Sequence, residues 1–177
     1  YDYPFARLAD QADIDIILVG DSGGMVKLGY ENTIPTTMEE MLTMCKSVSR
    51  ATQRAFIIAD MPFLSYQISE TDAVKNAGRF IKEGGADAVK IEGGQEYSKT
   101  VRSIVKAGIP VMGHIGLKPQ TAKLWKGYTI QGNDLESAKE IIEDAYSLEH
   151  SGVFSIVLEM VTTEVSEIIT NNISIPT

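Results

Sequence analysis

At 177 residues and 44% apolar, the chain carries enough nonpolar side chain to bury one substantial core and has the composition of a globular protein. Aspartate and glutamate outnumber lysine and arginine by 24 to 16 and no basic stripe interrupts them, which argues against nucleic acid as a partner. No run reaches the roughly 20 apolar residues of a membrane span, no secretory leader opens the chain, and the single Cys45 rules out an internal disulfide and fits a reducing, cytoplasmic compartment.

The sequence opens at YDYPFARLAD and stops at ISIPT, a β-rich apolar stretch, and both ends read as cuts through a longer fold. A single partial domain over residues 1–177 is expected. The first apolar, strand-like run is Ile16–Gly20, which ends at Asp21. Thr37 and Glu40 have capping-box spacing and start a helix reaching about Ala51. A second strand, Ala55–Ala59, ends at Asp60. Ser69 and Asp72 begin the next helix, which the Gly84–Gly85 pair stops. The third strand, Ala86–Val89, runs into Lys90 and Glu92, and a helix over roughly Glu96–Ala107 ends before Gly108 and Pro110. Ile109–Gly113 then reaches His114. Asn133 with Glu136 marks the start of a helix whose stripe of Leu135, Ala138, Ile141, Ile142, Ala145 and Leu148 closes at Gly152. Phe154–Leu158, the last clear strand, reaches Glu159.

Short buried strands alternating with helices make a parallel α/β sheet, and ligands in such sheets sit beyond the carboxyl ends of the strands. A closed (β/α)8 barrel takes about 250 residues, so five units here make most of one. An open doubly wound sheet is the competitor. Its usual glycine-rich turn is poorly matched by Gly20-Asp21-Ser22-Gly23-Gly24, whose central acid would repel a pyrophosphate.

Asp21, Asp60 and Glu92 bring three carboxylates to three strand ends, an oxygen-only set suited to Mg²⁺, although strand-end acids also cap helices. One cysteine and two histidines leave little for a zinc site. Lys90 and Glu92, two apart on a strand, share a face, either as a structural ion pair or as an ammonium beside a metal-binding carboxylate. His114 is a catalytic candidate or a satisfied structural group, and His150 reads as a solvated residue at a helix end. Glu159, closing the apolar run FSIVLE, is expected to be partly buried with a raised pKa suited to a general base. Together these residues suit proton abstraction beside the carbonyl of a small oxygen-rich anion.

The motifs ILVGDSGGM, LGYENT, IADMPFLSYQ, GADAVKIEGG, GIPVMGHIGLKPQ, GYTIQG and IVLEMV, with the opening YDYPFARLAD, resemble the ketopantoate hydroxymethyltransferase family across essentially the whole chain. The resemblance implies a (β/α)8 TIM-type barrel of the phosphoenolpyruvate mutase/isocitrate lyase-like superfamily, of which five to six units are present, and assembly as a homo-oligomeric decamer. It implies that Asp21, Asp60 and Glu92 arrange Mg²⁺, directly or through its waters. Ser22, Asp21, Asp60 and Lys90 would contact the substrate, Glu159 would be the base, and His114 would bind or orient. The implied reaction transfers a hydroxymethyl group from 5,10-methylenetetrahydrofolate to 3-methyl-2-oxobutanoate. Two alternatives stand beside it: a Mg²⁺-dependent lyase or mutase acting on C–C or C–P bonds of 2-oxo acids, and an inactive barrel fragment. Three positions depart from the family pattern: Met44 for a usual histidine, Gly23 for a leucine and Thr162 for a proline.

Overall fold

The computed structural model describes residues 1–121 and 128–177. Five strands, β1 (Ile16–Val19), β2 (Phe56–Asp60), β3 (Ala88–Glu92), β4 (Val111–Gly116) and β5 (Ser155–Glu159), form one sheet in sequence order. Every neighbouring pair is parallel. The helices are α1 (Tyr3–Gln11), α2 (Gly23–Leu28), α3 (Met38–Ala51), α4 (Glu70–Arg79), α5 (Ser98–Lys106), α6 (Leu135–Ser151) and α7 (Thr163–Asn172). Gly127, which opens the GYTIQG motif, lies outside the described residues.

Strand alternation decides the architecture. Ile57 and Ala59, Val89 and Ile91, Val111 and Ile115, and Ile156 all join one core with the buried stripes of the helices, including Met41, Val48, Ala77, Ile104, Ala145, Leu148 and Ile169. The intervening residues point the other way, where Ile58, Ala88 and Met112 form a small separate cluster with Phe154 and Val157. The major helices thus cover one face only, as in a barrel, whereas a doubly wound sheet has helices on both. On the inner face Phe56 meets Phe154 edge-on at 5.7 Å, and Ile16 and Leu18 of β1 stay about two-fifths exposed.

Local chemistry explains the helix ends. The Thr37–Glu40 capping box forms as its spacing predicts, and Ser69 accepts from the Asp72 N–H. At α6 the cap is Asp134 and not Asn133, its carboxylate accepting from the N–H groups of Glu136 and Ser137. An aspartate reaches both donors as a full anion at the positive end of the helix dipole. The segment predicted as one helix up to Gly84 is α4 followed by a π-turn, Phe80–Gly84, closed by Gly85 in the left-handed region. β2 to β5 run one to three residues later than expected, so Asp60, Lys90, Glu92, His114 and Glu159 are in the ladders, whereas β1 starts where expected and ends one residue earlier, leaving Asp21 past its strand. ISIPT forms no strand, although the Pro176 carbonyl accepts from the Ile156 N–H at 3.0 Å along the outer edge of β5.

Candidate active site at the carboxyl ends of the strands

Because inward-facing residues alternate, β2 to β5 present Asp60, Lys90, Glu92, His114 and Glu159 on the inner face, at the end where the strands finish. Register makes them neighbours: Asp60 pairs with Lys90, Glu92 with His114, and Gly116 with Glu159. With Asp21 and Ser22 from the turn after β1, they line one cleft of about 340 Å³. Leu18, Met25 and Val157 supply apolar wall to the same cleft. Every site residue predicted from the sequence therefore falls in a single cavity. Asp21, Asp60, Lys90, Glu92 and His114 are each at most 5% exposed, whereas the Glu159 side chain is about one-third exposed.

The charges are arranged around Lys90. Its Nζ lies 3.0 Å from Asp60 Oδ1 and 2.8 Å from His114 Nδ1. Burial works against the ammonium, but the carboxylates of Asp60, Glu92 and Asp21 outweigh it and hold the Lys90 pKa above its ordinary value. A fully protonated ammonium has hydrogens and no lone pair, so His114 Nδ1 must accept, which assigns the remaining ring proton to Nε2. Nε2 lies 2.9 Å from the Leu117 carbonyl and 3.2 Å from Glu159 Oε2. Burial, reinforced by Lys90, lowers the His114 pKa and keeps the ring neutral. His114 is thus fully hydrogen-bonded and joins Lys90 to Glu159.

Glu159 departs from the sequence expectation. Its pKa lies below the ordinary carboxylate value because the hydrogen bond from His114 stabilises the anion more than partial burial penalises it. The raised values belong instead to Asp21, pushed to about 7 by burial and then by Asp60, and to Glu92, pushed to about 8 chiefly by burial.

These values bear on the metal. One ammonium faces three buried carboxylates, and Asp60 Oδ1, although ion-paired, accepts no well-directed hydrogen bond. Among the described residues no three His, Cys, Asp or Glu side chains converge as a ready-made ligand cage. The excess of buried carboxylates over cations is what fits a hard cation such as Mg²⁺, which binds through one or two carboxylates and fills its remaining positions with water and substrate oxygens. Between about pH 4, where unfolded carboxyls titrate, and about pH 8, the folded protein holds protons on Asp21 and Glu92 that the unfolded chain has released. The contribution of these two groups to stability without metal is therefore expected to be full below that window and to be lost as pH rises through it. Thermal unfolding at pH 5.5 and 8.5 checks this, with an expected fall of several degrees that millimolar Mg²⁺ largely abolishes.

Several contributors escaped sequence reasoning. The Tyr1 hydroxyl lies 2.6 Å from Ser22 Oγ, and Thr36 Oγ1 donates to the Asp21 carbonyl at 3.1 Å. Thr33, inside the LGYENT motif, lines the cleft with a buried hydroxyl that has no hydrogen-bond partner among the described residues. Gln120 reaches the carboxylates from a helical stretch at 119–121, just after β4. Conversely, Cys45 is buried in α3 outside the cleft, its thiol pushed up to about 12 by burial, and His150 is exposed at the end of α6.

Two departures from the family pattern touch one another. A Cβ placed on Gly23 would lie 2.5 Å from Met44 Sδ and 2.9 Å from Tyr1 Cδ1, so the absent side chain at 23 makes room for the methionine. Gly23→Leu is expected to cost about 1–3 kcal/mol and to cost measurably less in a Met44→Ala background. A double-mutant cycle by urea unfolding reads that coupling. The third departure, Thr162, donates its N–H to the Gln131 carbonyl at 3.0 Å, a bond that proline could not make.

Helices on one face of a parallel sheet, and a charged cleft at its carboxyl end, define the chain as a (β/α)-barrel protein with its site in the usual place for that fold. Solved structures agree on the fold. A putative phosphonomutase from Burkholderia cenocepacia J2315 superposes with a TM-score of 0.76 at 13% identity, covering 99% of this chain and 74% of that one. Phosphonopyruvate hydrolase, crystallised with oxalate and Mg²⁺, superposes at 0.71 and 14% identity, covering 97% of this chain and 60% of that one. The ketopantoate hydroxymethyltransferase family matches residues 1–177. Over all 177 residues the chain is 56% identical to the 3-methyl-2-oxobutanoate hydroxymethyltransferase of Nitrosopumilus maritimus (strain SCM1) and 54% identical to that of Heliobacterium modesticaldum (strain ATCC 51547 / Ice1). It spans 63% and 64% of the lengths of those two proteins. The chain belongs to the ketopantoate hydroxymethyltransferase family.

Proposed function

We propose that this chain provides the catalytic strand ends of a 3-methyl-2-oxobutanoate hydroxymethyltransferase. The observation that carries the reading is the line Lys90–His114–Glu159 beside three buried carboxylates, in a chain 54–56% identical to enzymes of that name. Asp21, Asp60 and Glu92 would hold Mg²⁺, in part through its waters. When bound, the ion supplies positive charge to the keto and carboxylate oxygens of the oxo acid.

The remaining steps belong to the side chains. Lys90, kept protonated by the acids around it, donates to the oxygen on which charge develops. Glu159, ionised and oriented by His114, takes the C3 proton and leaves an enolate. Leu18, Met25 and Val157 give the branched carbon tail an apolar wall. The enolate carbon then bonds to the methylene carbon of 5,10-methylenetetrahydrofolate. Both C–N bonds of that carbon are broken, and one water supplies its hydroxyl and one proton. The proton taken by Glu159 is the second that completes tetrahydrofolate, giving 2-dehydropantoate. Homo-oligomeric, decameric assembly and a cytoplasmic setting enter this proposal from the family resemblance. Among the described residues, no helix is long and apolar enough to cross a membrane.

The C–C or C–P lyase reading loses ground because the chain's one cysteine is buried in a helix, with its thiol far from ionisation. Proton NMR of 3-methyl-2-oxobutanoate in D₂O tests the proposal without any folate. Loss of the C3 proton signal that depends on Mg²⁺ is expected, and a folded protein that catalyses no exchange would overturn the assignment of the base and its partners.

A further inference from the structure

Beyond β4 the chain turns back over the ends of three other strands. Gly116, with φ of 88°, starts the turn, and a Cβ there would meet the Glu159 carbonyl oxygen at 2.4 Å. The Leu117 N–H donates to that same carbonyl at 2.8 Å, and the Leu117 carbonyl lies against His114 Nε2. So pinned, the turn at 117–118 leads into a helical stretch at 119–121 that delivers Gln120 to the middle of the carboxylates, 2% exposed.

Every hydrogen-bonding position of Gln120 that faces the site is taken. Its backbone N–H donates to Glu92 Oε2 at 3.0 Å. Its side-chain Nε2 donates to Asp21 Oδ2 and to the Met61 carbonyl, each at 2.9 Å. Its Oε1 lies 3.0 Å from the Tyr66 hydroxyl and 3.3 Å from Gln67 Nε2. The amide has only one workable orientation, because the flipped form would set Oε1 against a carboxylate and a carbonyl.

We infer that Gln120 is the positioning residue for the acidic cluster, fixing the Asp21 carboxylate through its amide and the Glu92 carboxylate through its backbone N–H. The inference rests on the proposed function, in which those carboxylates serve a cation. A neutral amide is the group such a role requires. Lysine or arginine in its place would neutralise Asp21 and compete with a cation, and glutamate would add a fourth buried carboxylate. An amide directs one carboxylate oxygen and leaves the charge available.

Mn²⁺ serves as the probe ion, with free Mn²⁺ counted by electron paramagnetic resonance. In Gln120→Met, of similar length but unable to donate from its side chain, the Mn²⁺ Kd is expected to rise about 10-fold or more. In an Asp21→Asn background the same substitution should add little, since its target carboxylate is gone. A purely structural role would lower the unfolding temperature and leave the Kd of the folded protein in place. If Gln120→Met does not fold, Tyr66→Phe combined with Asp21→Asn decides. The Tyr66 hydroxyl lies 3.0 Å from Gln120 Oε1 and 2.9 Å from the Glu92 carbonyl, so only the part of its effect that vanishes in the Asp21→Asn background belongs to Gln120, while the ring stays packed edge-on against Tyr97. A rise of about threefold in Kd is expected for Tyr66→Phe alone. A parent protein that binds no Mn²⁺ overturns the metal reading and this inference with it. A parent that binds, with the folded variant's Kd unchanged, overturns the positioning role alone.

Discussion

Glu159→Gln is expected to slow Mg²⁺-dependent exchange of the C3 proton of 3-methyl-2-oxobutanoate by about 10²–10⁴-fold. Binding of the oxo acid should change little. The amide keeps an oxygen to accept from His114 Nε2, which now lies 3.2 Å from Glu159 Oε2, so the imidazole should hold its place while the base is lost. Because Glu159 is only partly buried and ends its strand, the substitution should cost little stability. Isothermal titration with the oxo acid, set beside exchange rates under saturation, separates the two effects. Lost binding with normal turnover of bound substrate would remove Glu159 from the role of base.

Lys90→Met should be the most damaging single change to the fold's charge balance. It leaves Asp60, Asp21 and Glu92 buried without their cation, and breaking a buried pair in this way costs about 3–5 kcal/mol. The penalty should be greater at pH 8.5 than at pH 5.5, because Asp21 and Glu92, already titrating at about 7 and about 8, can take up protons at the lower pH. His114 Nδ1 also loses its donor, so exchange activity should disappear even where the variant stays folded. Adding Asp60→Asn should recover part of the stability and none of the activity. Urea unfolding at the two pH values, with exchange measured on the folded protein, checks both. An unchanged rate in folded Lys90→Met would take Lys90 out of the site.

Much of this was legible in the sequence because strand periodicity is strict. Lys90 and Glu92, two apart, had to share a face, and runs such as Ala55–Ala59 ending in an acid located the cleft's rim. The helix caps at Thr37 and Ser69 were legible because they are local contacts with a fixed spacing. What stayed hidden depends on three-dimensional return of the chain. Gln120 meets Asp21 across 99 positions, and no local pattern marks it. The lowered pKa of Glu159 was missed for a similar reason, since an apolar flank suggested desolvation while the hydrogen bond from His114, on another strand, has the larger effect. At α6 the spacing of Asn133 to Glu136 pointed to the wrong cap, because the neighbouring Asp134 reaches two N–H groups with its carboxylate. The π-turn at Phe80–Gly84 inserts without a sequence signal of the kind that marks a cap.

The contact between Gly23 and Met44 has a consequence for how such a sequence can change over generations. A bulky residue at position 23 collides with the thioether while Met44 is present, and a smaller residue at position 44 removes that contact in advance, leaving the Tyr1 ring, at 2.9 Å from a Cβ, to give way. The two sites are therefore not free to vary in either order. A lineage carrying this pair gains a side chain at 23 at less cost after 44 has become smaller, because the glycine is held by its side-chain neighbours and not by any demand of the backbone.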